Sequence, residues 1–136
     1  ANLDPSIELL ERDDSFTLAL QDDVLFETGL NQISPRMFRS LNSVAQVIKE
    51  VNLPVRIIGY SDATPAVGEE TNLMLSLKRA VLVKNYLMYA GRVPLELLVV
   101  EGRGEELSPH FISKSGGEIS VSDNRRRRVE IVWGLD

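Results

Sequence analysis

The hydrophobic pattern divides the chain into alternating strand-like and helix-like segments. Residues 6–12 and 15–21 show partial alternation of apolar and polar side chains, with Asp13-Asp14 between them. This pattern predicts two strands joined by a tight turn. Residues 22–33 are richer in polar positions and are predicted to form an irregular connection. The chain is therefore expected to open with a β-hairpin.

A helix is predicted to follow this connection. Ser34 can cap the free amides of the first turn, and Pro35 suits the first helical position because the N–H that it lacks would have had no partner there. Apolar residues then recur at helical spacing through about Lys49 and form one stripe. The stripe contains Met37, Phe38, Leu41, Val44, Ala45 and Ile48.

The middle of the chain predicts a strand and a long helix. Residues 55–60 are rich in β-branched side chains and follow Pro54, which is typical of a central strand. A loop covers residues 61–71, and a helix is predicted from Glu70 or Thr71 through Ala90, with Gly91 as its stop. Its buried side is predicted to consist of Leu73, Leu77, Ala80, Val81, Val83 and Leu87.

Two more strands complete the predicted sheet. Residues 95–101 form an apolar strand, and the glycines and proline of residues 102–117 predict a long, mobile loop. In the last strand Val129, Ile131 and Trp133 are expected on one face, with Arg128 and Glu130 on the other. Helix-linked strands suggest parallel crossovers. The expected fold is an α+β sandwich, with a mixed sheet and helices packed on one face.

Composition limits the classes of function. The 136 residues suffice for one domain, with residues 1–21 as a hairpin extension and residues 22–136 as the core. A net charge of −5 argues against general affinity for nucleic acid or anionic lipid. The absence of cysteine excludes disulfides and thiolate chemistry. No apolar run approaches the roughly 20 residues that cross a bilayer, so the chain as given is expected to be soluble.

Asp62 and Arg79 are the leading candidates for a binding site. Asp62 lies where a strand ends and a loop begins, a common place for ligand-binding groups, although it could instead cap the following turn. Arg79 lies on the long helix, and its guanidinium could hold a carboxylate with two parallel hydrogen bonds. The alternative for Arg79 is a surface ion pair that contributes little.

The other charged clusters carry weaker signals. The run from Arg125 to Arg128 has no interleaved aromatic residues, and as a strand it would send alternate arginines to opposite faces, so that one or two at most serve one site. His110, the single histidine, has no nucleophile or acid partner that can be identified from the sequence. It is expected to be an exposed loop residue. No cofactor or metal site is predicted.

Four blocks of sequence, in order, resemble the OmpA/MotB family of peptidoglycan-binding domains. The family pattern runs roughly Gly-His-Thr-Asp, Asn-x-x-Leu-Ser-x-x-Arg-Ala, Gly-Tyr-Gly-Glu and Asn-Arg-Arg-Val-Glu-Ile. The corresponding blocks here are residues 59–62, 72–80, 102–105 and 126–131. Residues 24–29 and 33–35 also resemble the N-terminal segment of the family pattern. Departures from the pattern are Tyr60 for His, Ser61 for Thr and Arg126 for Asn.

The resemblance implies a periplasmic domain that binds peptidoglycan noncovalently. In the family, the Asp and the helix Arg hold the diaminopimelate residue of the stem peptide. By resemblance, Asp62 receives an ammonium group and Arg79 a carboxylate, while Arg127 lines the same pocket. Ser61 and Asn72 match polar positions that border the ligand. An acid and a base a few ångströms apart would recognise both ends of a zwitterion and reject lysine.

The resemblance also suggests how the domain is attached. Pro65 and the longer loop before Asn72 are more similar to MotB, the flagellar stator subunit, than to outer-membrane OmpA. A homodimer and an inner-membrane stator partner are then expected. Because the chain begins with Ala1 and not Met, a longer protein with an upstream anchor is expected.

Three alternatives remain open at this point. The same module could belong to an outer-membrane protein or a lipoprotein. The chain could be a hydrolase of wall peptides that uses His110 with Glu105 or Asp62. It could also be a scaffold domain with a degenerate pocket.

Overall fold

Five strands form one mixed sheet in the computed structural model, which describes residues 3–27, 31–64, 71–113 and 115–134. The strands are β1 (Glu8–Arg12), β2 (Ser15–Gln21), β3 (Val55–Tyr60), β4 (Leu98–Gly102) and β5 (Arg128–Gly134). Their spatial order is β1-β2-β5-β3-β4. Strands β3 and β4 pair in parallel, and the other neighbouring pairs are antiparallel. The last strand therefore lies in the centre, between β2 and β3.

The predicted N-terminal hairpin is confirmed. Strands β1 and β2 pair in antiparallel register from Glu8 opposite Ala19 to Arg12 opposite Ser15, which leaves Asp13-Asp14 as the turn. The prediction of an irregular segment after β2 is only partly correct, because α1 (Asp22–Leu25) forms one helical turn there. An isolated bridge between Phe26 and Ile33 closes this connection.

Two long helices pack on one face of the sheet. The first, α2 (Phe38–Val51), follows a single 3-10 turn at Pro35–Met37, and the second is α3 (Asn72–Tyr89). Ser34 stands at the predicted position, but its side chain makes no capping hydrogen bond. Thr71 does cap α3, since its hydroxyl accepts a hydrogen bond from the Met74 N–H at 3.1 Å. The core between helices and sheet includes Leu41, Val44, Ile48, Ala80, Val83, Leu87, Ile57, Val129 and Ile131.

The predicted buried side of α3 is wrong in its first half. Leu73 and Leu77 are 57% and 42% exposed, whereas Ser76, Ala80, Val83 and Leu87 face the core. The reason is the close approach of backbones at the start of the helix. A Cβ added to Gly102 would lie 2.6 Å from the Leu77 backbone nitrogen. Only a small side chain such as that of Ser76 fits between this part of α3 and the sheet.

The opposite face of the sheet is covered by residues of the segments 103–113 and 115–127. A 3-10 turn at Pro109–Phe111 and a bridge between Ile112 and Glu118 interrupt the loop that was predicted for residues 102–117, and α4 (Asp123–Arg126) follows it. Ser108 and Phe111 contact β5, where the Arg128 guanidinium lies 4.3 Å from the Phe111 ring centroid. Helices therefore cover one face, and an irregular segment covers the other.

This cover buries two charged residues of β5, which were predicted to share one face of the strand. Arg128 and Glu130 are each about 1% exposed and form a salt bridge of 2.6 Å between Nη2 and Oε2. The Ser108 hydroxyl donates to the same carboxylate oxygen at 2.6 Å. The Arg128–Glu130 pair thus belongs to the interior of the protein.

Some sequence predictions fall outside the described residues. These are the predictions for Ala1 and for Gly29, which ends the first part of the N-terminal segment of the family pattern. Those for residues 65–70, which include Pro65 and Glu70, also fall outside. The length of the loop before Asn72 therefore stays a prediction. The resemblance to MotB that rests on Pro65 and on this loop also stays a prediction. Within the described part of the chain, no helix is long and apolar enough to cross a membrane.

Candidate functional site

Three strand ends meet at one edge of the sheet and bring charged residues together. Asp22 follows β2, Asp62 lies two residues after β3, and Arg127 immediately precedes β5. Because β5 lies between β2 and β3, Arg128 is opposite both Gln21 and Tyr60. The Asp22 N–H also donates to the Arg127 carbonyl oxygen at 2.9 Å. Strand order alone therefore places two acids beside Arg127.

Asp62 and Arg127 form the first ion pair of the site. The Arg127 Nη1 donates to Asp62 Oδ2, and the Thr64 N–H donates to Asp62 Oδ1 at 2.7 Å. The Asp62 side chain is only 8% exposed. Burial acts to raise the pKa of Asp62, but the hydrogen bonds from Arg127 and Thr64 outweigh it and hold the pKa below its usual value. Asp62 is therefore a well-satisfied carboxylate.

Arg79 and Asp22 form the second ion pair. Arg79 Nη1 lies 2.9 Å from Asp22 Oδ1, with side-chain exposures of 23% and 14%. The Arg79 guanidinium also lies 5.9 Å from the Phe26 ring centroid. Burial raises the pKa of Asp22 above its usual value, against the opposing effects of Arg79 and Arg127. Asp22 Oδ1 is buried and accepts no aligned hydrogen bond from the described residues.

Both arginines line one cleft of about 220 Å³. Its size suits the end group of an amino acid rather than a large ligand. The charged groups around it come from separate segments, so their geometry is fixed by the fold and not by one flexible loop. The described residues that line it are Asp22, Asp23, Phe26, Glu27, Asn31, Arg79, Leu82 and Arg127.

Ser61 and Asn72 are not among the described residues that line this cleft, and their side chains form hydrogen bonds within the protein. The Ser61 hydroxyl donates to the Asp62 carbonyl oxygen at 2.9 Å, and Ser61 is 4% exposed. Asn72 Nδ2 donates to the Thr64 carbonyl oxygen at 3.0 Å, which ties the segment after β3 to the start of α3. These bonds support the backbone around Asp62. A direct contact of either side chain with a ligand stays a prediction.

The run of arginines is divided among four different environments. Arg125 forms a salt bridge with Glu8 at 3.1 Å, and Arg126 donates to the Glu105 carbonyl oxygen. Arg127 turns to Asp62, while Arg128 is buried with Glu130. Arg125 and Arg126 belong to α4 and not to a strand, so the predicted strand alternation applies only from Arg128 onward.

Tyr60 faces the irregular cover and not the helices, and His110 is part of that cover. The Tyr60 hydroxyl accepts a hydrogen bond from Arg103 Nη1 at 3.0 Å, and burial raises the pKa of Tyr60 to about 12. His110 Nε2 lies 3.3 Å from Thr17 Oγ1 in β2, so this side chain is partly enclosed and not a fully exposed loop residue. Among the described residues, no group of three or more His, Asp and Glu side chains could hold a metal ion.

Asp22 is the main candidate site residue that the sequence analysis did not identify. It lies in a segment interpreted as an irregular connection, and no residue near it in sequence signals a basic partner. The position of Asp22 beside a basic residue follows from the strand topology. Once β2 and β5 are known to be antiparallel neighbours, the residue after β2 must lie beside the residue before β5, which is Arg127.

Comparison with known proteins places the chain in a family. The family model described as "OmpA family" matches residues 25–125. "Outer membrane protein 41" of Porphyromonas gingivalis is 35% identical over 98 residues, which cover 72% of this chain and 24% of that protein. The chain therefore spans only about a quarter of the length of this relative.

Solved structures show the same fold. The cell wall anchor of the T6SS from Pseudomonas aeruginosa matches with a TM-score of 0.73 at 23% identity, over 96% of this chain and 89% of that one. The periplasmic domain of Helicobacter pylori MotB (residues 78–256) matches with a TM-score of 0.73 at 23% identity, over 96% of this chain and 82% of that one. With the family model covering residues 25–125, the chain belongs to the OmpA family.

Proposed function

We propose that this chain is a noncovalent peptidoglycan-binding domain that anchors a membrane protein to the cell wall. Its ligand is the zwitterionic end of diaminopimelate in the stem peptide, and no bond is broken. The observation that carries the proposal is the cleft of about 220 Å³ that Arg79 and Arg127 both line, with Arg79 paired to Asp22 inside it and Arg127 paired to Asp62 beside it.

The charges of this cleft match the two ends of such a ligand. Asp62 is the acceptor for the ligand ammonium, and Arg79 is the donor for its carboxylate. Arg127 keeps Asp62 ionised and borders the same cleft. Ser61 and Asn72 hold the Asp62 segment through their hydrogen bonds to main-chain carbonyl groups. Lysine would satisfy Asp62 but would leave Arg79 without a ligand carboxylate, which gives selectivity.

Membership of the OmpA family and the shared fold of a cell wall anchor support this role. For the attachment we propose an inner-membrane, MotB-like stator subunit that acts as a dimer, in line with the fold shared with Helicobacter pylori MotB. The second candidate is an outer-membrane protein or lipoprotein that carries the same module, which the sequence likeness to Outer membrane protein 41 favours. Fractionation of inner and outer membranes, with detection of the full-length protein, separates the two.

Sedimentation with purified sacculi tests the binding itself. The wild-type domain should pellet with sacculi that contain diaminopimelate and be released by a free tripeptide that ends in diaminopimelate. Asp62→Asn and Arg79→Gln should each weaken the affinity for sacculi by at least about tenfold and thereby lower the pelleted fraction. Arg36→Gln is the matched control, because Arg36 also pairs with an aspartate but is 57% exposed and lies outside the cleft.

Two results would contradict the proposal. One is equal pelleting by the wild type, Asp62→Asn and Arg79→Gln. The other is equal release by the diaminopimelate tripeptide and by its lysine counterpart, since that would show that the ligand carboxylate is not recognised. A scaffold with a degenerate pocket would leave the wild type in the supernatant, and a hydrolase would release peptide fragments from the sacculi.

A further inference from the structure

In the cleft without ligand, both arginines are neutralised by carboxylates of the protein. Each arginine that lines it already has an aspartate partner, Asp22 for Arg79 and Asp62 for Arg127. A ligand carboxylate that approaches Arg79 therefore does not meet a free cation. It meets an ion pair of 2.9 Å, in which Asp22 occupies one side of the guanidinium.

The two aspartates are held very differently. Asp62 accepts hydrogen bonds from Arg127 and from the Thr64 N–H, so its negative charge is well supported. Asp22 Oδ1 is buried and accepts no aligned hydrogen bond from the described residues. In this part of the chain that oxygen is held by the ion pair with Arg79 alone, and a buried carboxylate oxygen without an aligned hydrogen bond is costly to keep charged. Asp22 is therefore the weaker of the two partners and the one that a ligand can replace.

Asp22 also cannot move far from the cleft. Its backbone N–H donates to the Arg127 carbonyl oxygen at 2.9 Å, at the point where β2 and β5 separate. Its side chain is 14% exposed. When Arg79 turns to a ligand, Asp22 stays near the cleft with its charge no longer compensated by that arginine.

We propose that Asp22 is a specificity-determining residue that competes with the ligand carboxylate for Arg79, so that binding of a carboxylate is coupled to uptake of a proton by Asp22. The inference rests on the proposed function and adds to it a reason for selectivity. Only a ligand that offers Arg79 two parallel hydrogen bonds replaces Asp22, because a single weak contact gains nothing over the existing pair.

The charges around Asp22 determine the sign of the pH effect. Burial raises the pKa of Asp22 in the empty cleft, and loss of Arg79 to a ligand raises it further. Ligand carboxylates remain ionised above about pH 5. Affinity for a carboxylate ligand should therefore increase as the pH falls towards that range. The charged groups that face Asp22 or line the cleft with it are Arg79, Arg127, Asp62, Asp23 and Glu27.

Calorimetric titration of the wild type and Asp22→Asn tests this inference, with two synthetic tripeptides that end in diaminopimelate or in lysine. Asp22→Asn should bind the diaminopimelate peptide about tenfold more tightly than the wild type does at pH 7.5. Its affinity for the lysine peptide, which has no side-chain carboxylate, should be unchanged. Titrations in buffers of different ionisation enthalpy should show proton uptake for the wild type and none for Asp22→Asn.

Asp23→Asn is the matched control. Asp23 also lines the cleft and carries the same charge, but it is not the ion-pair partner of Arg79. It should therefore change both peptide affinities by the same small factor and leave proton uptake intact. Thermal melting verifies that each variant is folded.

The outcomes distinguish the competition at Asp22 from the proposed function. If the wild type binds the diaminopimelate peptide but Asp22→Asn binds it equally or more weakly, then Asp22 supports Arg79 and the competition is refuted while the proposed function stands. If neither protein binds the diaminopimelate peptide, the proposed function fails and this inference fails with it.

Discussion

Gly59 and Ser76 are in backbone contact: a Cβ built on Gly59 would lie 2.0 Å from the Ser76 carbonyl oxygen. Strand β3 and helix α3 thus approach each other without a side chain between them, just before the chain reaches Asp62. The same helix carries Arg79 one turn later. Asp62 follows β3 and Arg79 belongs to α3. The distance between these two residues therefore depends on the contact between Gly59 and Ser76.

Gly59→Ala should destabilise the fold and weaken the site together. The added methyl group has no flexible neighbour to displace, so we expect a loss of about 2–3 kcal/mol in the free energy of unfolding. Urea denaturation measures this loss, and sacculus sedimentation measures the effect on binding. Gly117→Ala is the matched control, because among the described residues its added Cβ would meet only the Ser113 hydroxyl, at 3.5 Å. A fully stable Gly59→Ala variant would show that α3 does not lie against β3 as described.

The exposed face of α3 gives a second prediction. Leu77 is 42% exposed and Leu87 is fully buried, although the helical periodicity places both on the apolar side. Leu77→Asp should retain a cooperative melting transition with a loss of about 1 kcal/mol or less. Leu87→Asp should abolish the transition because it buries an unpaired charge. If Leu77→Asp also failed to fold, the helix would be rotated relative to the structure.

The buried Arg128–Glu130 pair gives a third prediction. Glu130→Ala leaves Arg128 buried without its carboxylate and should cost about 3–5 kcal/mol in the free energy of unfolding. Replacing both residues, Arg128→Met with Glu130→Leu, should cost much less because no charge is left uncompensated. The exposed Arg36–Asp4 pair is the comparison, and Arg36→Ala should cost less than about 1 kcal/mol. Equal losses for Glu130→Ala and the double variant would contradict this account.

Asp62 should give stability a defined dependence on pH. Because its folded-state pKa is lowered, its contribution is fully present above the unfolded-state value near 3.8 and is lost as the pH falls through the folded-state value. Asp62→Asn should therefore lower the free energy of unfolding at pH 7 by about 1–2 kcal/mol. Unfolding curves between pH 7 and pH 2 should show the difference from the wild type closing below about pH 4. A difference that is constant over this range would mean that Arg127 does not stabilise the Asp62 charge.

Local sequence determined most of the secondary structure. The strand at Val55–Tyr60 and the hairpin with its Asp13-Asp14 turn were predicted correctly, and Thr71, the N-cap of α3, is one of the two helix starts that were predicted. Each of these features depends on neighbours within a few residues, through periodicity, capping or a proline. The local sequence pattern, together with four short motifs, identified Asp62, Arg79 and Arg127 as candidate binding residues.

Tertiary structure decided how those residues are paired. Contacts between segments far apart in the chain place Asp22 in the cleft and bury Arg128 and Glu130. Such contacts also leave Leu77 exposed. The strand order β1-β2-β5-β3-β4 brings Arg127 between Asp22 and Asp62, and the Gly59–Ser76 contact fixes the face that α3 turns to the sheet. Periodicity cannot show these features, because it records which side of an element is apolar and not which element lies against it.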